Sequence, residues 1–292
     1  MANLPEGEKR IDTHGFLGKS TVFAVPHTTA SYFKRSEFSD TSFLIIPFEA
    51  SRNAPTLKKI GQDPKFLGMY LMFNPNEELH FWTRADGVEN IAKLMNERYV
   101  VGLKSLPSYY KVRMNDPRYF PYYEVAEQHS MPILLHAASS GQDFNSAEMT
   151  REVLDRFPDL KIILAHFGGL RPEYMAGAVK LAQEYSRLYL NTTTMHQMGR
   201  QSQTSNVDHS RRVIETGESE IEAMRRDAFD IFVGLCRTRP QQILYGSDLG
   251  YNPPEEYSLW PVDQVEQSLA HEIFIENPRR VFGILMKQEE DL

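Results

Sequence analysis

The stretch Ile162–Asn191, IILAHFGGLRPEYMAGAVKLAQEYSRLYLN, decides the fold. It opens on a continuous apolar run that ends at His166. A run without alternation is the mark of a strand buried on both faces. Pro172 then stands where a helix can begin, because the first turn has no use for the N–H that proline lacks. Met175, Val179 and Ala182 follow at helical spacing. A second short apolar run, Leu188–Asn191, closes the unit. Strand, helix and strand in about 30 residues make a parallel βαβ unit.

Working outward, the same alternation recurs along the chain. Eight candidate strands can be read: Arg10–His14, Phe43–Pro47, Leu67–Phe73, Val100–Leu106, Ile133–His136, Ile162–His166, Leu188–Asn191 and Ile243–Tyr245. Helical patterns lie between most of them. Asp86 can cap a helix whose Val88, Ile91, Leu94 and Met95 share a face. Ile221, Met224, Ala228, Ile231 and Leu235 form another stripe, and Asn277-Pro278 reads as the cap and first turn of a closing helix through Val281, Phe282 and Leu285. Parallel strands joined by right-handed crossovers, eight times over, predict a single-domain α/β fold, a (β/α)8 TIM barrel over residues 1–292. A doubly wound open sheet is the structural alternative. One interval breaks the rhythm: residues 197–217 are polar, carry Arg200, His209, Arg211 and Arg212, and read as a long loop insertion, either a lid or disordered. The loop 251–261 is rich in Pro, Tyr and Trp and follows the eighth strand.

The chain has 292 residues, 41% hydrophobic and 24% charged, which suits one large soluble barrel. A net charge of −7 argues against a nucleic-acid partner. No apolar run is long enough for a membrane helix, and the polar start carries no export signal. One cysteine, Cys236, leaves no internal disulfide framework and fits a reducing compartment. A cytoplasmic protein acting on a small molecule, without membrane or nucleic-acid partners, is expected; whether it forms a homo-oligomer stays open.

The chemistry is marked by position. His14, His136, His166 and Asp248 all fall at the carboxyl ends of candidate strands. In a parallel barrel those ends open onto one face, where active sites are built. Taken singly, each His is more often a hydrogen-bonded residue at the rim of the core, and Gly246-Ser247-Asp248 is often only a turn. Chance rarely sets three His and one Asp at four strand ends of the same polarity. Imidazole and carboxylate are ligands that zinc and related divalent ions accept, and a catalytic ion needs three of them with one position open. Such an ion makes a hydroxide nucleophile of its bound water.

These residues sit in longer motifs. Ile11-Asp12-Thr13-His14-Gly15-Phe16-Leu17-Gly18, Gly102-Leu103-Lys104-Ser105-Leu106-Pro107, Pro132-Ile133-Leu134-Leu135-His136, Ala165-His166-Phe167-Gly168-Gly169, Leu244-Tyr245-Gly246-Ser247-Asp248 and Asn277-Pro278-Arg279-Arg280-Val281-Phe282-Gly283 follow in order. With them the chain resembles the amidohydrolase superfamily over nearly its whole length. Within it, the chain is similar to the group of aminocarboxymuconate-semialdehyde decarboxylase-like enzymes and pyrone-dicarboxylate lactonases. The resemblance implies that His14 and His136 bind a divalent metal, one zinc or else manganese. It implies that Asp248 ligates the metal or takes a proton from its water, and that His166 is a general acid/base or polarises a substrate carbonyl. Two positions depart from the family pattern: Phe16 stands where the second His of His-x-His belongs, and Leu106 where close relatives carry His. Both make the mouth more apolar and weaken a metal site. Lys104 corresponds to a lysine that other branches carbamylate; here a cation near the mouth that binds a substrate carboxylate, or a lysine paired within the protein, is the favoured reading. Tyr109 and Tyr110 line the pocket or pack on the surface, His196 lies within reach of the mouth, and Arg171 binds an anionic substrate, caps a helix or pairs with Glu173.

Three functions follow. The leading one is metal-dependent hydrolysis of an amide, ester or lactone. The second is non-oxidative decarboxylation of an aromatic or enol-type acid on the same barrel. The third is a metal-depleted barrel doing metal-free chemistry or binding only.

Overall fold

Eight strands run parallel, each hydrogen-bonded to the next in chain order. They are β1 (Arg10–Leu17), β2 (Thr41–Pro47), β3 (Phe66–Met72), β4 (Val100–Ser105), β5 (Ile133–Leu135), β6 (Ile162–Leu164), β7 (Leu188–Asn191) and β8 (Ile243–Leu244). The computed structural model describes residues 8–17, 29–48, 50–76, 87–137, 142–197, 218–249 and 258–283. Asp86, residues 198–217 of the expected insertion and residues 251–257 of the loop after β8 lie outside them.

The sheet closes on itself. Thr13 N–H donates to the Tyr245 carbonyl (3.0 Å), Asp248 N–H to that of His14 (2.9 Å) and Phe16 N–H to that of Leu249 (2.7 Å). A further parallel bridge joins Gly15 to Leu249. β1 thus meets β8 as well as β2, and the architecture is the (β/α)8 barrel read from alternation. Every residue of β2 is buried, as are all of β5 and β6. This explains why the strands read as unbroken apolar runs: one face fills the barrel and the other meets the helices.

The helices start as their sequences suggest, with one difference. Pro172 is the first residue of the helix Pro172–Glu184, whose Met175, Ala178, Leu181 and Ala182 are buried. The 21-residue helix Glu218–Thr238 buries Ala228, Phe232, Leu235 and Cys236. Asn277, by contrast, caps nothing. The helix Asn277–Phe282 continues directly out of a π-helical turn, Glu272–Glu276. The Asn277 amide instead donates to the carbonyls of Pro240 and Ile243, each at 2.8 Å, and its oxygen accepts from Arg280. A cap needs a chain arriving in an extended conformation; here it arrives helical, so the side chain ties the last helix to the start of β8.

Candidate functional site

Side chains from four strands or the residues just after them lie close together, although His14 sits inside β1, which runs three residues further, and does not end it. His14 lies in β1, His136 follows β5, His166 follows β6 and Asp248 follows β8. The chain bends sharply after β6, β7 and β8. His166 (φ 55°), Thr194 (φ 54°) and Asp248 (φ 63°) all take left-handed backbone conformations that non-glycine residues seldom adopt. Such strain costs on the order of 1–3 kcal/mol per residue and gathers at functional sites. Gly246 permits Asn191 and His14 to pack against the backbone: a Cβ there would stand 2.5 Å from Asn191 Oδ1 and 2.7 Å from His14 Cβ.

Two polar pairs form the centre. His14 Nε2 lies 3.1 Å from Asp248 Oδ1. The pair is close but not aligned as a hydrogen bond, so that carboxylate oxygen keeps open accepting capacity. The second pair is His166 Nε2 and His136 Nδ1, 3.0 Å apart. His14 Nδ1 faces Thr193 Oγ1 at 3.0 Å. His166 Nδ1 faces Thr194 Oγ1 at 2.7 Å and the Thr193 carbonyl at 3.2 Å. A carbonyl only accepts, so this contact assigns a proton to His166 Nδ1. His166 Nε2 then accepts from His136 Nδ1–H, which leaves His136 Nε2 bare. His14, His166 and Asp248 are buried, while His136 is half-buried and meets the Tyr109 ring edge-on at 5.3 Å between centroids.

Lys104 completes the centre. It is fully buried in β4, level with Met72 of β3 and Leu134 of β5, and its Nζ has no hydrogen-bond partner among the described residues. Burial pulls its pKa down to about 7, with Asp248 acting the other way. Burial pushes Asp248 up to about 7, against the pull of Lys104. Each group thus sits near balance between its charged and neutral forms at neutral pH. The three histidines are held neutral. Burial, followed by the Lys104 charge, lowers His14 and brings His166 to about 3. Burial, then His166 and Lys104, lowers His136.

Residues that sequence did not single out orient this set. Asp12, fully buried, accepts from the backbone N–H of His14 and Ser247 (3.1 Å each) and from the Ser247 hydroxyl. Asn191 donates to Thr13 Oγ1 at 2.7 Å and accepts from Thr193 N–H at 3.0 Å. The polar run Asn191-Thr192-Thr193-Thr194 after an apolar strand was the available signal.

Other candidates lie further out. Arg171 is 44% exposed in its side chain, precedes the helix at Pro172 and lies 3.7 Å from Glu173. His196 is half-buried in a short turn, and its carbonyl accepts from Arg225 at 2.6 Å. Tyr110 and Leu106 are buried.

The metal that the resemblance implies needs three converging ligands. Among the described residues, no three His, Cys, Asp or Glu side chains gather closely enough to hold an ion. Both nitrogens of His166 are engaged within the protein. The Phe16 ring packs 5.5 Å from that of His14 and stacks on Phe48. A buried ammonium also stands in the same field. His14 and Asp248 are placed as two ligands on one ion would be, but the described residues do not complete the set.

Known proteins share this architecture. A probable 2-pyrone-4,6-dicarboxylic acid hydrolase from Acinetobacter baumannii, with citric acid bound, superposes with a TM-score of 0.63 at 13% identity, over 94% of this chain and 99% of the other. The 2,6-dihydroxybenzoate decarboxylase from Rhizobium gives 0.60 at 13% identity, over 95% and 99%. The 4-oxalomesaconate hydratase from Rhodopseudomonas palustris gives 0.58 at 14% identity, over 96% and 98%. At such identities the likeness is one of fold. No curated protein matches the chain. The sequence model of the amidohydrolase family, however, matches residues 79–284 of the 292, from before β4 to past β8, and the chain belongs to that family.

Proposed function

We propose that this barrel hydrolyses a lactone, ester or amide of a small carboxylate-bearing molecule. The observation that carries the reading is the pairing of His14 with Asp248 beside the pairing of His136 with His166 in one buried centre. Asp248, with its carboxyl near balance at neutral pH, takes a proton from the attacking water. His14 Nε2 stands beside that carboxylate at 3.1 Å. Protonated Asp248 then returns that proton to the leaving oxygen or nitrogen, while His136, backed by His166, presents its bare Nε2 at the open side to accept a hydrogen bond from the substrate. In the balance, the acyl C–O or C–N bond breaks, water contributes hydroxide to carbon, and its proton ends on the leaving group. Tyr109, Arg171 and His196 are the candidates for gripping the substrate further out. Family membership supports an enzymatic reading, and the named ligands and substrates of the structural neighbours, citric acid and 2,6-dihydroxybenzoate among them, are carboxylic acids.

A second reading is non-oxidative decarboxylation, favoured by the Phe16–Phe48 stack beside His14, an apolar wall suited to an aromatic acid. There a carbon–carbon bond breaks, carbon dioxide leaves, and the protonated form of Asp248 supplies the proton to the ring carbon. One experiment separates the two: incubate the protein with panels of lactones, esters, amides and aromatic carboxylic acids, and identify products by mass spectrometry. Addition of water supports hydrolysis and loss of carbon dioxide the alternative. No turnover across both panels, with the fold intact by circular dichroism, overturns both.

A further inference from the structure

We propose that the unmodified ammonium of Lys104 is the resident cation of this centre, binding the substrate's carboxylate without a metal. This deepens the reading above and relies on it only for the class of ligand. The inference starts from cost. A buried N–H donor without an acceptor carries its full desolvation penalty, and the penalty is larger when the group is charged. Lys104 has three such donors, no exposure and no hydrogen-bond partner among the described residues. A purely structural position would be filled better by an apolar side chain of the same length. A methionine there would fit the strand and its neighbours Met72 and Leu134.

The surroundings say what the cation faces. Its field reaches His14 from β1, His136 after β5, His166 after β6 and Asp248 after β8. Only Asp248 among them is acidic; it and Lys104 act on each other by charge, but neither Lys104 Nζ nor Asp248 Oδ1 has a hydrogen-bond partner among the described residues. The other buried carboxylate nearby, Asp12, is committed to Ser247 and the His14 backbone. Three neutral imidazoles cannot compensate a buried charge, but a substrate carboxylate can, with charge-assisted hydrogen bonds. The same ammonium works against a metal. A divalent ion placed between His14 and Asp248 would be repelled by it, and apolar Phe16 and Leu106 offer no ligand in return.

The test uses the wild-type protein purified without chelator, beside Lys104→Met and Lys104→Gln. Citrate is the probe anion, titrated by calorimetry at neutral pH, with and without EDTA; zinc and manganese are measured by mass spectrometry. Expected are substoichiometric metal, citrate binding unchanged by EDTA, and at least about tenfold weaker citrate binding in both variants. Both variants should fold, since Nζ makes no hydrogen bond among the described residues. Any of four results overturns the proposal. These are no citrate binding to wild type, equal binding to a folded variant, a stoichiometric metal whose removal abolishes binding, or a carbon dioxide adduct on Lys104 in the intact mass. If neither variant folds, Lys104 is structural and the proposal also falls. Turnover is not read, so failure of the hydrolase reading would show separately, in the substrate panels.

Discussion

Two clusters of buried polar groups lie side by side in this barrel, and they are treated in opposite ways. At the seam of β1, β7 and β8, Thr13 Oγ1 donates to the Tyr245 carbonyl, Asn191 bridges Thr13 and Thr193, Asp12 takes three donors, and Leu249 N–H donates to Ser247 Oγ. Nearly every polar atom there is matched. Towards β3 and β4, Lys104 Nζ and Tyr70 Oη are buried without partners among the described residues, and Asp248 Oδ1 has only its unaligned approach to His14 there. Buried polar groups are normally hydrogen-bonded. The matched cluster closes the barrel. The unmatched one holds charge and proton-binding capacity that the fold does not use.

If that division is correct, substitutions should separate stability from activity. The largest effect expected is on catalysis: Asp248→Asn should lower kcat/KM by about 10²–10⁴-fold while leaving the urea midpoint near that of wild type. Next comes Asp12→Ala, which leaves two backbone N–H groups and the Ser247 hydroxyl without their acceptor; a loss of about 3 kcal/mol in urea unfolding is expected. If Asp248→Asn cost the fold as much as Asp12→Ala, the two clusters would not be distinct in kind. The pH dependence sharpens the comparison. With Asp248 pushed up to about 7 and needed as the carboxylate, kcat/KM should fall about tenfold per unit below neutrality. For stability the group to follow is His166, held at about 3 against an ordinary 6.5. Its folded pKa is depressed, so the unfolded chain binds more protons between these values. The stability tied to its neutral form is therefore present above about 6.5 and drains away as pH falls towards 3. Urea midpoints of wild type and His166→Gln across that range should diverge, with the variant the flatter.

Much of this could be read from sequence because barrel strands announce themselves. Runs such as Ile133–Leu135 and Ile162–Leu164 are apolar on both faces, and their ends place His136 and His166 at one mouth. These two ladders stop one or two residues earlier than expected; at His166 the chain turns out of the sheet in a left-handed conformation. β1 runs on to Leu17, because Phe16 and Leu17 pair with Ile46 and Pro47. The supporting residues were not legible. Asp12, Asn191, Thr193, Thr194 and Ser247 are short polar residues near strand ends, which read equally well as turn formers. Their partners lie far along the chain: Asn191 is 178 positions from Thr13, and Ser247 is 235 from Asp12. No local pattern encodes such pairings. Asn277 was misread for the same reason, its partners being carbonyls more than thirty positions away.

The smallest effect tests the outer edge of the comparison. Arg171 belongs to neither cluster; its side chain is 44% exposed and 3.7 Å from a Glu173 that is 59% exposed. An ion pair of this kind is screened by water and is worth no more than about 0.5 kcal/mol. Arg171→Ala should therefore leave the urea midpoint almost unmoved. Activity is where the residue can declare itself. If Arg171 grips an anionic substrate at the rim, the variant should raise KM severalfold with kcat little changed, because an interaction made equally in ground and transition states affects binding alone. Citrate affinity should weaken in parallel, but by less than in Lys104→Met, since a solvated cation yields less than a buried one. Unchanged KM and citrate affinity would leave Arg171 as a surface partner of Glu173. The anion site would then be confined to the buried centre around Lys104.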